Sequence, residues 1–181
     1  QHDSHELLLQ ILDNIFEETG IESEPMINNV PEIIKDYLSL LSDVKDKLAL
    51  QPDTDSRKEI LNELTVFKKS NEPVINRYGG LKFMMDEYKS RYNQMIYQIK
   101  SFNINTITCE TCQNYNSNYE SNTILSIPVK STINECLEAF IKADEIDDYN
   151  CKYCECKRKA TKTTRIYKTP MVLFLDRKSV V

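Results

Sequence analysis

Tryptophan is absent from this 181-residue chain, and glycine occurs only three times. So few glycines exclude a glycine-rich phosphate cradle, and neither a G-x-G-x-x-G nor a Walker loop is present. Long apolar runs are missing as well. None approaches the roughly 20 residues a membrane-spanning helix needs, so no membrane partner is expected. No signal peptide is visible, although the chain opens on Gln1 rather than Met, which reads as a cut N-terminus. Six cysteines are too few for a disulfide scaffold of this length, and their paired spacing favours metal over bridges. The expected compartment is therefore reducing: intracellular, cytoplasmic or nuclear.

What is present can fold. Apolar residues make up 40% of the chain, above the level of a disordered segment. The net charge of −5 argues against a nucleic-acid binder, but it hides an asymmetry. Residues 1–60 carry 14 acids and 5 bases, net −9, whereas residues 152–178 carry 9 bases and 2 acids, net +7. Such runs are most simply solvated faces, and a charged partner is the alternative.

Four helices are expected first. Leu8, Leu12, Ile15 and Phe16 recur at helical spacing from Asp3 to about Glu18, with Asp3 or Ser4 as cap and Gly20 as stop. A second helix starts at Pro31 and carries Ile34, Leu38 and Leu41 to about Leu48. A third spans Ser56 to Lys69 on Ile60, Leu64 and Phe67. Pro73 and Gly79-Gly80 read as a break, followed by a helical or mixed segment from Leu81 to Tyr97. The texture then changes. Strands are expected over Ile99–Thr108, Tyr119–Val129, Ala160–Tyr167 and the apolar run Met171–Leu175, the last as a central strand. A short helix over Thr132–Lys142 would bury Ile133, Leu137 and Phe140.

Two C-x-x-C knuckles, Cys109/Cys112 and Cys151/Cys154, carry the sharpest chemical signal. Each puts two thiolates on one tight turn, and together they supply the full tetrahedral shell of a structural Zn²⁺. A closed shell leaves no position for water or substrate, so this zinc would hold a shape. Cys156 lies close enough to compete as a ligand, and Cys136 reads as core. At the N-terminus, Asp3 and Glu6 share one face of the first helical turn, where acids favour the helix dipole. His2 and His5 also share a face but lack a third ligand.

Taken together, these features resemble the ubiquitin-specific protease family of deubiquitinases. The Q-x-D-x-x-E opening of Gln1, Asp3 and Glu6 is similar to that family's Gln box. Ile107–Cys112 resembles its strand into a first zinc knuckle, and Glu120 with Leu125-Ser126-Ile127-Pro128 its next strand. Thr132–Phe140, Tyr149–Cys154, Ala160-Thr161-Lys162, Ile166 and Pro170 continue the pattern in order. Leu7 in place of an aromatic, Asn105 and Asn116 in place of serines, and a final Leu175-Asp176-Arg177-Lys178 without a closing aromatic mark a divergent member, of viral or protist kind.

The resemblance implies an α+β fold, part of a papain-like thumb, palm and fingers. Residues 1–20 would be the Gln-box thumb helix, 21–95 a mostly helical insertion, 96–170 zinc-binding fingers and 171–181 the start of a palm strand. It implies a cysteine protease cutting the isopeptide bond after the C-terminal Gly of ubiquitin, with ubiquitin and ubiquitinated proteins as partners. The family's nucleophile and histidine would lie outside residues 1–181, so no catalytic residue is assigned and the chain alone is expected to be inactive. Gln1, Asp3 and Glu6 would line the channel for ubiquitin's arginine-bearing tail. Two other readings stand beside this one: a ubiquitin-binding module without hydrolysis, and a zinc-ribbon nucleic-acid binder using the +7 segment.

Overall fold

The computed structural model describes residues 4–50, 54–90 and 92–178. A run of helices comes first and the strands follow with one further helix among them, and the fold is α+β. Helix α1 (Ser4–Thr19) turns Leu12 and Phe16 into a core and stops one residue before Gly20. Its expected stripe is narrower than the sequence suggests, because Ile15 is exposed together with Leu7 and Ile11.

Helices α2 (Glu32–Leu50) and α3 (Thr54–Ser70) belong to a compact unit of residues 27–79. There Ile34 and Val44 are buried, Tyr37 stacks on Phe67 at 6.3 Å, and Leu38 faces solvent against expectation. The remaining described residues form the other unit.

The expected break near residues 73–80 does not occur, since α4 runs without interruption from Glu72 to Ser90. Pro73 sits in the first helical turn, where its missing N–H has no acceptor to satisfy. Gly80 is held for space rather than for a bend. A Cβ there would meet the Tyr167 ring at 3.0 Å.

Helix α5 (Gln94–Ile99) is capped by Asn93, whose side chain accepts from Ile96 N at 2.7 Å. Ile96 and Ile99, on this helix, join Leu12, Phe16, Tyr88 and Phe102 in the main core.

Strand β1 (Ser101–Cys109) is central. It pairs antiparallel with β2 (Tyr115–Asn122) on one side and with β5 (Cys156–Lys168) on the other. The expected strand Tyr119–Val129 is in fact two. Its first part extends back through the Asn-rich stretch as β2, and β3 (Ile124–Pro128) leaves for another sheet. Helix α6 (Ile133–Ile141) follows with a full capping box between Thr132 and Glu135. Cys136 is its buried residue, with Leu137 and Phe140 packed beside it, whereas Ile133 is 61% exposed.

Strand β4 (Asp144–Cys151), which has no hydrophobic alternation to reveal it, completes the order β2-β1-β5-β4. Among the described residues, strand β6 (Phe174–Lys178) pairs only with β3, in parallel. The apolar run before it, Met171 to Leu173, is exposed rather than central.

Candidate metal centre

Antiparallel pairing of β1 with β5 places the end of one beside the start of the other, with Cys109 opposite Ala160. The β1–β2 and β4–β5 hairpins therefore turn at the same end of the sheet, and each turn is a cysteine knuckle. The four ligand atoms of Cys109, Cys112, Cys151 and Cys154 lie within 4.8 Å of one another. Cys109 Sγ is 3.9 Å from Cys154 Sγ, and Cys112 Sγ is 3.6 Å from Cys151 Sγ. A zinc–sulfur bond of about 2.3 Å gives a tetrahedral shell with edges of about 3.8 Å, so both spacings suit a Cys₄ ion. All six cysteines are free thiols.

The backbone prepares the turns. Gln113 N donates to Cys109 O at 2.9 Å, Cys109 N to Asn114 O at 2.9 Å, and Glu110 N to Lys159 O at 3.0 Å. The residue after the second cysteine of each knuckle, Gln113 and Glu155, has a left-handed backbone with φ of 56° and 54°. The two turns thus share a left-handed residue at the same position although their sequences differ.

Electrostatics within the cluster is uneven. Burial pushes the Cys112 thiol up, but hydrogen bonds from the Asn114 backbone and side chain and from neighbouring thiols outweigh it and bring it down to about 7. Burial together with hydrogen bonding among the thiols pushes Cys154 up to about 12. Cys151 is raised too, first by burial. Around them the phenols of Tyr149 and Tyr153 are raised, first by burial and then by the charge of the cluster. One thiolate forms readily, and further ones need a cation to hold them.

Sequence reasoning missed Asn114, Tyr149 and Tyr153. Their only signal was position: Asn114 is an amide next to one knuckle, and Tyr149 and Tyr153 flank Cys151 in the other. Cys156 stands apart from the four-sulfur group, its Sγ donating to Cys154 O at 3.1 Å. Cys136 is core, as expected.

Gln1, His2 and Asp3 lie outside the described residues. Glu6 is exposed in the first turn of α1. The basic segment is offset by its neighbour: β4 brings Asp144, Glu145, Asp147 and Asp148 alongside it, with Lys157–Asp148 and Lys159–Asp147 each at 3.6 Å. Those acids interrupt the basic run over Lys157 to Lys162. Among the described residues, no helix is long and apolar enough to cross a membrane.

No family model matches this chain. A curated relative in Acanthamoeba polyphaga mimivirus, named a probable ubiquitin carboxyl-terminal hydrolase, is 24% identical over 188 residues. The match takes in 97% of this chain and 40% of that relative, so the chain spans less than half of the relative's length. A solved structure of the yeast SAGA DUBm with a mutant Sgf73 matches 45% of this chain and 20% of its own, at 29% identity and a TM-score of 0.41.

Proposed function

From its resemblance to the ubiquitin-specific proteases, which the curated relative supports along nearly the whole chain, we propose that this chain is the ubiquitin-gripping part of a cysteine deubiquitinase. The whole protein would hydrolyse the isopeptide bond after the C-terminal Gly of ubiquitin, with ubiquitin and ubiquitinated proteins as its partners. In this reading residues 96–170 are the fingers, 1–20 the thumb helix, 21–95 an insertion and 171–181 the start of the palm. Gln1, Asp3 and Glu6 would accept hydrogen bonds from the ubiquitin tail. Free, closely spaced thiols suit a reducing intracellular compartment.

The observation that carries the reading is the meeting of two hairpin tips at tetrahedral sulfur spacing. Cys109, Cys112, Cys151 and Cys154 would hold Zn²⁺, which supplies structural cross-linking there and no open coordination position. The β1–β2 and β4–β5 hairpins would then present a fixed surface to a folded partner. No residue of the chain is assigned as nucleophile or base, so these residues alone would bind ubiquitin without cleaving it.

The test is a titration of the zinc-loaded chain with ubiquitin, beside a Cys112→Ser/Cys151→Ser variant. Stoichiometric zinc and saturable ubiquitin binding are expected, both lost in the variant. Duplex DNA at two salt concentrations should show no binding. A chain free of metal after purification in zinc, or ubiquitin binding indifferent to the cysteine changes, would overturn the reading.

A further inference from the structure

Away from the cysteine cluster, the segment after α1 and the second half of α4 enclose a groove of about 460 Å³. Pro25, Met84, Met85, Tyr88, Tyr92 and Tyr97 give it an apolar and aromatic lining. Backbone bonds fix its walls: Ile21 and Tyr92 exchange N–H···O bonds of 2.9 Å, and Ser23 N donates to Lys89 O at 3.2 Å. Ser23 Oγ donates to Tyr88 O at 2.6 Å. The groove is therefore preformed, which lowers the ordering cost of binding.

Its rim is acidic. Glu22, Glu24 and Asp86 border the adjoining hollows, against Lys89 alone. All three carboxylates are on exposed residues, and none forms an ion pair with another described residue. One of the lining rings, Tyr97, already holds the chain's own cation. Lys168 Nζ stands 4.3 Å from the centre of the Tyr97 ring and donates to Tyr97 O at 2.7 Å. Tyr97 is still 41% exposed.

We propose that this groove docks an extended basic segment of a partner protein. An apolar side chain of that segment would seat on Met84, Met85 and Pro25, and a flanking lysine or arginine would lie against Tyr92 near Glu24 and Asp86. Thioethers and aromatic rings adapt to an aliphatic anchor, ring faces attract ammonium and guanidinium groups, and a carboxylate rim selects for positive charge. The same rim repels nucleic acid and anionic lipid. The inference stands independently of the ubiquitin reading, because no cysteine knuckle or Gln-box residue contributes to the groove.

The probe is a fluorescein-labelled pool of nonapeptides with a fixed central leucine flanked by arginine or lysine. It is titrated into the full chain beside a matched pool flanked by glutamate, with ¹³C-methyl methionine spectra as a second readout. The basic pool should bind saturably and shift the Met84 and Met85 methyl signals, and the acidic pool should not. Glu24→Lys/Asp86→Lys should weaken the basic pool about tenfold or more, since both changes invert the rim's charge. Equal binding of the two pools, no binding at millimolar peptide, or unmoved Met84 and Met85 signals would overturn the proposal. Displacement of the peptides by ubiquitin would overturn it too, by assigning the groove to the ubiquitin site.

Discussion

Gln113 and Glu155 show how much the cluster asks of single residues. Each holds a left-handed backbone just past a knuckle, where glycine would normally be favoured. The hydrogen bond from Gln113 N to Cys109 O and the register of β4 with β5 keep them there. A β-branched side chain in that region adds steric cost of about 1–2 kcal/mol. Gln113→Val and Glu155→Val should each lower stability by that amount and weaken zinc binding, measured by thermal melts and chelator competition. Zinc affinity should also fall as pH falls. Cys151 and Cys154 hold their protons more tightly than an ordinary thiol, so protons compete with the metal for these two sulfurs already at neutral pH and more strongly as pH falls. A pH series of the same competition experiment checks the sign.

At the level of elements, α4 is the clearest case of tertiary contact overriding local signals. Gly79-Gly80 reads as a break, but the helix continues because Gly80 lets it pass close to the Tyr167 ring of β5. Gly80→Ala would gain about 1 kcal/mol of helix propensity. The Cβ at 3.0 Å from a packed ring should nonetheless cost about 1–3 kcal/mol. A net loss of stability in denaturant titration is the expected outcome. Thr132→Ala, which removes the α6 capping box, should cost about 1 kcal/mol by the same measurement.

The sequence made α6 and the ends of α1, α2 and α3 legible, because caps and apolar periodicity are local. The convergence of the cysteine knuckles was legible because two matched C-x-x-C turns are the spacing a metal shell would use. Strand β4 was not, since an edge strand of acids and asparagine has no alternation to read. The split of β2 from β3 at Thr123 was hidden too, as changing sheets leaves no mark in composition.

On the scale of the molecule, one half-buried carboxylate ties three parts together. Glu87 of α4 accepts from Ser121 Oγ of β2 at 2.7 Å and from Lys100 Nζ, just past α5, at 3.1 Å. Burial raises its pKa, but these two hydrogen bonds and the Lys100 charge outweigh that and leave it below the ordinary value of 4.5. A depressed carboxylate stabilises the fold above its unfolded pKa and loses that contribution as pH falls through its folded pKa. Stability should therefore drop on acidification below about pH 4.5, and Glu87→Gln should flatten part of that drop in pH-dependent melts.

The parallel partnership of β3 with β6 has its own consequence, in time rather than in space. Hairpins β1–β2 and β4–β5 close over short stretches of chain, but β3 meets its partner only after α6, β4 and β5 have been made. During synthesis β3 waits with an unzipped edge while the ribbon beside it is already assembled. That wait ends only when β6 emerges, and a metal at the knuckles would hold the ribbon together meanwhile, so growth without the metal should show first as poor yield of newly made protein and only later as failure of the mature one.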